Sequence, residues 1–178
     1  MAPLRRCDVA RATADAELKA SHATLAELSA IHETRIETIA RATLTVATSG
    51  AGFFEITREV ARFLEKIAAR DGVLLLYLQH TSASLVIQEN ADPDVQTDLV
   101  TALERIAPAD AGWVHDVEGP DDMPAHIKSM VNGVCLHVPV AGGTMELGTW
   151  QGIYVAEHRT RSHRREVTLQ FVGGCGCD

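Results

Sequence analysis

Aromatic side chains are scarce in this sequence, at 4% of the chain, so its core has to rely on Val, Ile, Leu and Ala rather than on large rings. No stretch approaches the ~20 apolar residues of a membrane-spanning helix, and no membrane partner is expected. The opening "MAPLRRCDVARATADAELKA" lacks a continuous apolar segment and carries Asp and Glu. That composition speaks against a secretory signal and a transit peptide, and a cytoplasmic protein is expected. Basic residues are in the minority: 16 Lys and Arg against 24 Asp and Glu, a formal net charge of −8. Phosphate backbones need basic surface, so nucleic acid is not an expected partner. The acidic surplus suits a protein that holds cations, and equally a well-solvated surface. None of the cysteines, Cys7, Cys135, Cys175 and Cys177, forms a CxxC pair, which argues against a structural zinc site of that type. The terminal "CGC" reads as reduced thiols in a tail.

What is present describes one globular domain. The chain has 178 residues, 46% of them hydrophobic and 22% charged. Residues 1–36 are rich in Ala, Glu and Arg and read as an N-terminal extension, helical or loose, with Leu18, Leu25, Leu28 and Ile31 near helical spacing. Residues 37–178 form the domain. "ATLTVATS" reads as a strand. "FFEITREVARFLEKIAARDG" reads as a helix with Ile56, Val60, Phe63, Leu64 and Ile67 on one face and Gly72 as its C-terminal cap. "VLLLYLQ" predicts a central strand buried on both faces. "SASLVIQ" adds a strand, and "PDVQTDLVTALERIAP" a second helix opened by Pro93. "GVCLHVPV", "MELGTWQGIYVAEHR" and "REVTLQFV" supply closing strands. The expected fold is α+β: a compact, mostly antiparallel β-sandwich with two long helices.

Three segments carry chemistry. In "QHTSASLVIQENADPD", His80 ends an apolar run, and Thr81, Ser82 and Ser84 offer hydroxyls. Asn90 and Asp92 follow one strand later; Asp92 reads equally as a helix cap and as a functional acid. In "HDVEGPDDMPAHIK", His115 and His126 bracket Asp116, Glu118, Asp121 and Asp122, with a backbone break at Gly119-Pro120 and a helical turn expected from Pro124, capped by Asp122. That turn would hold His126 and Lys128. Imidazoles suit zinc and carboxylates suit magnesium, yet a solvated acidic loop has the same spacing. In "ELGTWQGIYVAEHRTRSHRRE", strand alternation places Thr149 and Gln151 on one face. Arg159 opens a basic cluster suited to a phosphate or carboxylate, or to solvent.

"HTSASLVIQENADPDV", "HDVEGPDDMPAHIKS" and "GTWQGIYVAEHR" resemble, in order and wording, the signature stretches of the YjbQ family, over roughly residues 40–173. The resemblance implies a compact α+β sandwich that forms homotrimers, a metal cluster at His80, His115 and His126, and a weak thiamine-phosphate synthase activity. That reaction joins a pyrimidine pyrophosphate to a thiazole phosphate and releases pyrophosphate. In an enzyme of this type the metal is expected to be Zn2+, with Mg2+ as the alternative for a pyrophosphate substrate. Glu118, Asp121, Asp122, Asn90 and Asp92 are the expected catalytic acids and amide. Thr81, Ser82, Ser84, Lys128, Thr149, Gln151 and Arg159 would meet a small phosphorylated metabolite. The alternative is a non-enzymatic trimer that binds metal and metabolite, favoured by a closed four-ligand shell over an open one.

Overall fold

Alternation along "ARDGVLLLYL" organises the larger sheet. In this computed structural model, which describes residues 28–176, the strand β3 (Ala69–Leu78) turns Leu74, Leu76 and Leu78 into the core. Val73 and Tyr77 face outward, 38% and 46% exposed. The expectation of burial on both faces is thus corrected: the strand is central, but one face of it is open in the single chain. The sheet is antiparallel, in the order β1-β8-β3-β5-β6. Its other strands are β1 (Thr38–Thr48), β5 (Cys135–Ala141), β6 (Thr144–Met145) and β8 (His163–Cys175).

A second sheet, β2 (Gly52–Glu55), β7 (Gln151–Glu157) and β4 (Ala83–Glu89), has β7 in the middle. Leu85, Ile153 and Val155 from this sheet meet Leu74, Leu76 and Phe171 from the first in one core. The α+β sandwich read from the sequence is the fold observed. The described residues contain three helices rather than two: α1 (Thr57–Lys66), α2 (Pro93–Ile106) and α3 (Asp122–Asn132).

Two boundaries differ from expectation for local reasons. Phe53 to Glu55 pair with β7 instead of opening α1, because Gly50 and Gly52, both at positive φ, turn the chain back on itself. Ile56, Val60, Phe63 and Leu64 still face the core as the periodicity predicts. Gly72 caps nothing: α1 ends at Lys66, and Gly72 lies within β3, where a Cβ would stand 2.8 Å from the Cα of Gly173. The helix α3 starts at Asp122, two residues before the expected Pro124. Pro124 then falls in the first turn, where its missing N–H costs no helical hydrogen bond.

The described residues divide between Glu33 and Thr34, and every strand and helix above belongs to the part that begins at Thr34. The periodic positions Leu18 and Leu25, and the tail cysteine Cys177, lie outside the described residues. Among the described residues no helix is long and apolar enough to cross a membrane.

Candidate metal centre

The start of α3 decides the site. Asp122 and His126 sit one helical turn apart and share a face. The preceding loop brings His115 to the same place: its Nε2 is 2.8 Å from Asp122 Oδ2. His126 Nε2 lies 3.6 Å from that same oxygen, and the two imidazole centroids are 5.5 Å apart. Among the described residues, His115, Asp122 and His126 form the group whose ligand atoms all fall within 4.8 Å of one another.

The donor set fits a first-row divalent ion. His126 Nδ1 donates to the carbonyl of Thr81 at 2.9 Å, so the lone pair of the neutral ring is on Nε2, facing Asp122. A backbone carbonyl on the far nitrogen is the usual way a ligating imidazole is oriented. Two nitrogens and one carboxylate oxygen leave a coordination position free, the donor count of catalytic zinc sites.

Asp122 is buried and held from behind. Its Oδ1 accepts from Arg159 Nη1, at the end of β7. Arg159 Nη2 also donates to the carbonyl of Glu118 at 2.8 Å and to Asp121 Oδ1 at 3.3 Å. Its Nε is 3.3 Å from Asp121 Oδ2, a charge contact without hydrogen-bond alignment. Asp121 Oδ2 accepts from the amide of Thr160 at 2.8 Å and from its hydroxyl at 2.9 Å. Burial alone would raise the Asp121 carboxyl, but these hydrogen bonds and the Arg159 charge hold it down at about 2. Burial alone would lower Arg159; Asp121, Asp122 and Glu118 outweigh it and raise the guanidinium further.

An open cleft of about 810 Å³ adjoins the cluster, with Tyr77, His80, Thr81, Ser82, His126 and Ser129 on its walls. The structure therefore brings His126 and His80 to one cleft, but His80 is not in the three-residue group, whose third member is Asp122. The amide of Glu166 donates to His80 Nε2 at 2.9 Å, which leaves the proton of the neutral ring on Nδ1. Burial and then Arg165 lower its pKa, so the neutral form is favoured.

Other expected site residues lie elsewhere. Arg159 is buried among carboxylates, not presented to a phosphate. Lys128 is buried too, its Nζ 2.5 Å from Glu104 of α2. Ser84 is buried against His158, Oγ to Nε2 2.7 Å. Asp92 accepts from the amide of Asp94 at 2.9 Å and caps α2. The amide of Asn90 donates to the carbonyl of Trp150. Thr149 is exposed, and Gln151 lines a separate groove beside α1 and the 142–147 turn. Glu118 is largely solvated, with one oxygen 3.5 Å from Arg159. The sequence reading missed Thr160, Glu157 and His158. The i,i+4 spacing of Asp122 and His126 was the available signal for the centre.

The family described as "UPF0047 protein YjbQ-like" matches residues 42–174. The UPF0047 protein YjbQ of Salmonella typhimurium is 45% identical over 132 residues, 74% of this chain and 96% of the relative. The UPF0047 protein sll1880 of Synechocystis is 41% identical over 131 residues, 73% of this chain and 89% of the relative. Among solved structures, the hypothetical protein APE1520 of Aeropyrum pernix superposes with a TM-score of 0.71 at 27% identity, covering 76% of this chain and 99% of that one. The conserved hypothetical protein TT1486 of Thermus thermophilus superposes at 0.66 with 34% identity, covering 73% and 98%.

Proposed function

The chain belongs to the UPF0047 family of YjbQ-like proteins, and from that premise we propose that it is a metal-dependent enzyme acting on a small phosphorylated metabolite. The reaction to test first is the one the family resemblance implies: a thiamine-phosphate synthase-type transfer that releases pyrophosphate. One observation carries the reading: His115, Asp122 and His126 converge beside a cleft lined by His126 itself. His115, Asp122 and His126 would hold a divalent ion, zinc by its donors, which would supply charge neutralisation to a departing pyrophosphate. His126, oriented by Thr81, presents Nε2 to the centre. His80 offers an Nδ1–H donor from the cleft wall, and Thr81 and Ser82 add polar groups. The non-enzymatic alternative would require a fourth protein ligand that closes the centre.

The test is metal analysis of protein purified without chelator, followed by calorimetric titration of pyrophosphate into zinc-loaded and metal-stripped samples. About one zinc ion per chain is expected, with pyrophosphate binding only to the loaded form. A wild-type chain that takes up no zinc, manganese or magnesium would overturn the reading.

A homotrimer is part of the same proposal. Across the outer face of the large sheet, Ile39 pairs with Val172, Val172 with Val73, and Val73 with Pro139, giving an unbroken apolar row. Tyr77 belongs to that face and also lines the cleft, so a subunit boundary there would run beside the site. Light scattering at micromolar concentration is expected to give three times the chain mass. Val73→Glu should shift it to one chain mass, because a charge directly opposite Val172 and Pro139 cannot be buried unpaired. A monomeric wild type would remove the trimer.

A further inference from the structure

We propose that Arg159 is the positioning residue of the metal centre: it restrains Asp122 to a single ligating oxygen and thereby sets the preference for zinc over magnesium. The inference rests on the metal reading above and deepens it. Asp122 has two oxygens with different duties. Oδ1 is occupied by Arg159 Nη1, while Oδ2 faces both imidazoles, 2.8 Å from His115 Nε2 and 3.6 Å from His126 Nε2. A carboxylate tied in this way cannot rotate to offer both oxygens to one ion.

The hold on Arg159 is itself rigid. Asp121 grips it from the other side, and Asp121 is fixed by two hydrogen bonds from Thr160, the residue after Arg159. The carbonyl of Glu118 takes another guanidinium N–H at 2.8 Å. Arg159 therefore binds the loop before α3 and the first turn of α3 to the end of β7. With Asp122 limited to one oxygen, the centre offers two nitrogens and one oxygen in a small space. That arrangement favours a tetrahedral ion that accepts imidazole. Magnesium demands near-octahedral oxygen ligation and calcium six to eight oxygens, and neither is served.

The charge of Arg159 gives the idea a sharp test. A nearby cation repels a metal ion, so simple electrostatics makes Arg159→Gln bind zinc more tightly. Positioning makes the opposite prediction. Loss of a partner that orients a ligand lowers metal affinity by about 10- to 100-fold, and here it should also narrow the gap between zinc and magnesium.

The experiment uses the full chain, stripped of metal, and titrates zinc and magnesium separately into wild type, Arg159→Gln and Arg159→Lys, with folding checked by circular dichroism. Cobalt added to each protein reports coordination, since a tetrahedral ion absorbs strongly in the visible and an octahedral one weakly. Wild type is expected to bind zinc, to ignore millimolar magnesium, and to give the strong cobalt band. Arg159→Gln should lose zinc affinity and cobalt intensity, and Arg159→Lys should recover only part of each, because one ammonium cannot span Asp121, Asp122 and the Glu118 carbonyl. If Arg159→Gln does not fold, Asp121→Asn loosens the same grip and carries the test. A wild type that takes up no zinc, manganese or magnesium would sink the metal reading and this one with it, and one that takes up another of these ions but no zinc would sink the zinc preference alone. A wild type that binds zinc, beside folded variants of equal or greater zinc affinity, would sink the positioning role alone.

Discussion

Between pH 6.5 and pH 4 the folded chain is expected to lose stability chiefly through His158, whose pKa is lowered from 6.5 to about 4, with a smaller share from His80, which is lowered as well. His158 is 4% exposed, with Nε2 against the Ser84 hydroxyl of β4, and the residue shares a small cavity with Leu103 and Glu104 of α2 and Lys128 of α3. Burial is the main cause of the shift; the positive charges of Lys128 and Arg165 reinforce it, and Glu157 opposes it. The direction follows from proton counting. In the unfolded chain this imidazole protonates as the pH falls through 6.5, while the folded chain refuses the proton until about 4. The unfolded state therefore gains a proton the native state lacks, and stability present above 6.5 declines until the folded pKa is reached. At ~1.4 kcal/mol per unit, the full loss is on the order of 3 kcal/mol. Urea unfolding across this window should show the decline in wild type. The double variant Ser84→Ala, His158→Phe should abolish that part of the slope while keeping most of the stability at neutral pH, since both hydrogen-bonding partners are replaced together. An unchanged slope in the double variant would contradict the assignment. Asp121 does not blur the result: with its carboxyl held at about 2, its own contribution is lost only at lower pH.

How much of this was readable in advance depends on the distance over which each feature is determined. The burial of Leu74, Leu76 and Leu78 within an apolar run and the α1 face of Val60, Phe63 and Leu64 are local, and composition or period reveals them, whereas the Asp92 cap was one of two equal readings of its position. The outward exposure of Val73 and Tyr77 was not readable. An apolar run has the same composition whether its second face meets a helix, another subunit or water. In the site, the two histidines and the acids of the 115–128 segment were visible as a cluster. Which acid faces the imidazoles was not, because it depends on α3 beginning at Asp122 rather than at Pro124. Arg159 looked like a free cation on a strand end. Its neutralisation comes from carboxylates 37 and 38 residues away, across a loop whose path no periodicity describes. Ser84 and His158 are 74 residues apart, and only the register that sets Ser84 opposite Ala156 puts them in contact.

Glu157→Gln is expected to be among the most damaging single substitutions in the protein, although it changes little in volume. The carboxylate is fully buried at the end of β7, and donors surround it. Its Oε1 accepts from the amides of His158 and Arg159, both at 3.0 Å, and from Arg165 Nη2 at 2.5 Å. Its Oε2 accepts from Thr48 Oγ1 at 2.8 Å and Arg165 Nε at 2.7 Å. Burial alone would raise the carboxyl, but Arg165, the Arg159 amide and Thr48 overcome this and hold it ionised, below its ordinary range. A glutamine must aim an NH2 group at donors on one side and leaves Arg165, itself buried, without its counter-charge. Breaking a buried pair in this way costs about 3–5 kcal/mol, against ~1 kcal/mol or less for an exposed pair. The two amides that Glu157 receives belong to His158 and to Arg159, which holds Asp122, so the damage should extend to the candidate metal centre. Thermal unfolding should show the stability loss, and zinc titration of the protein that remains folded should show weakened binding. Arg165→Met should cost a similar amount, and the double variant Glu157→Gln, Arg165→Met clearly less than the sum, the signature of a direct pair. A Glu157→Gln protein within about 1 kcal/mol of wild type, the range of a surface ion pair, would show that this network contributes little to the fold.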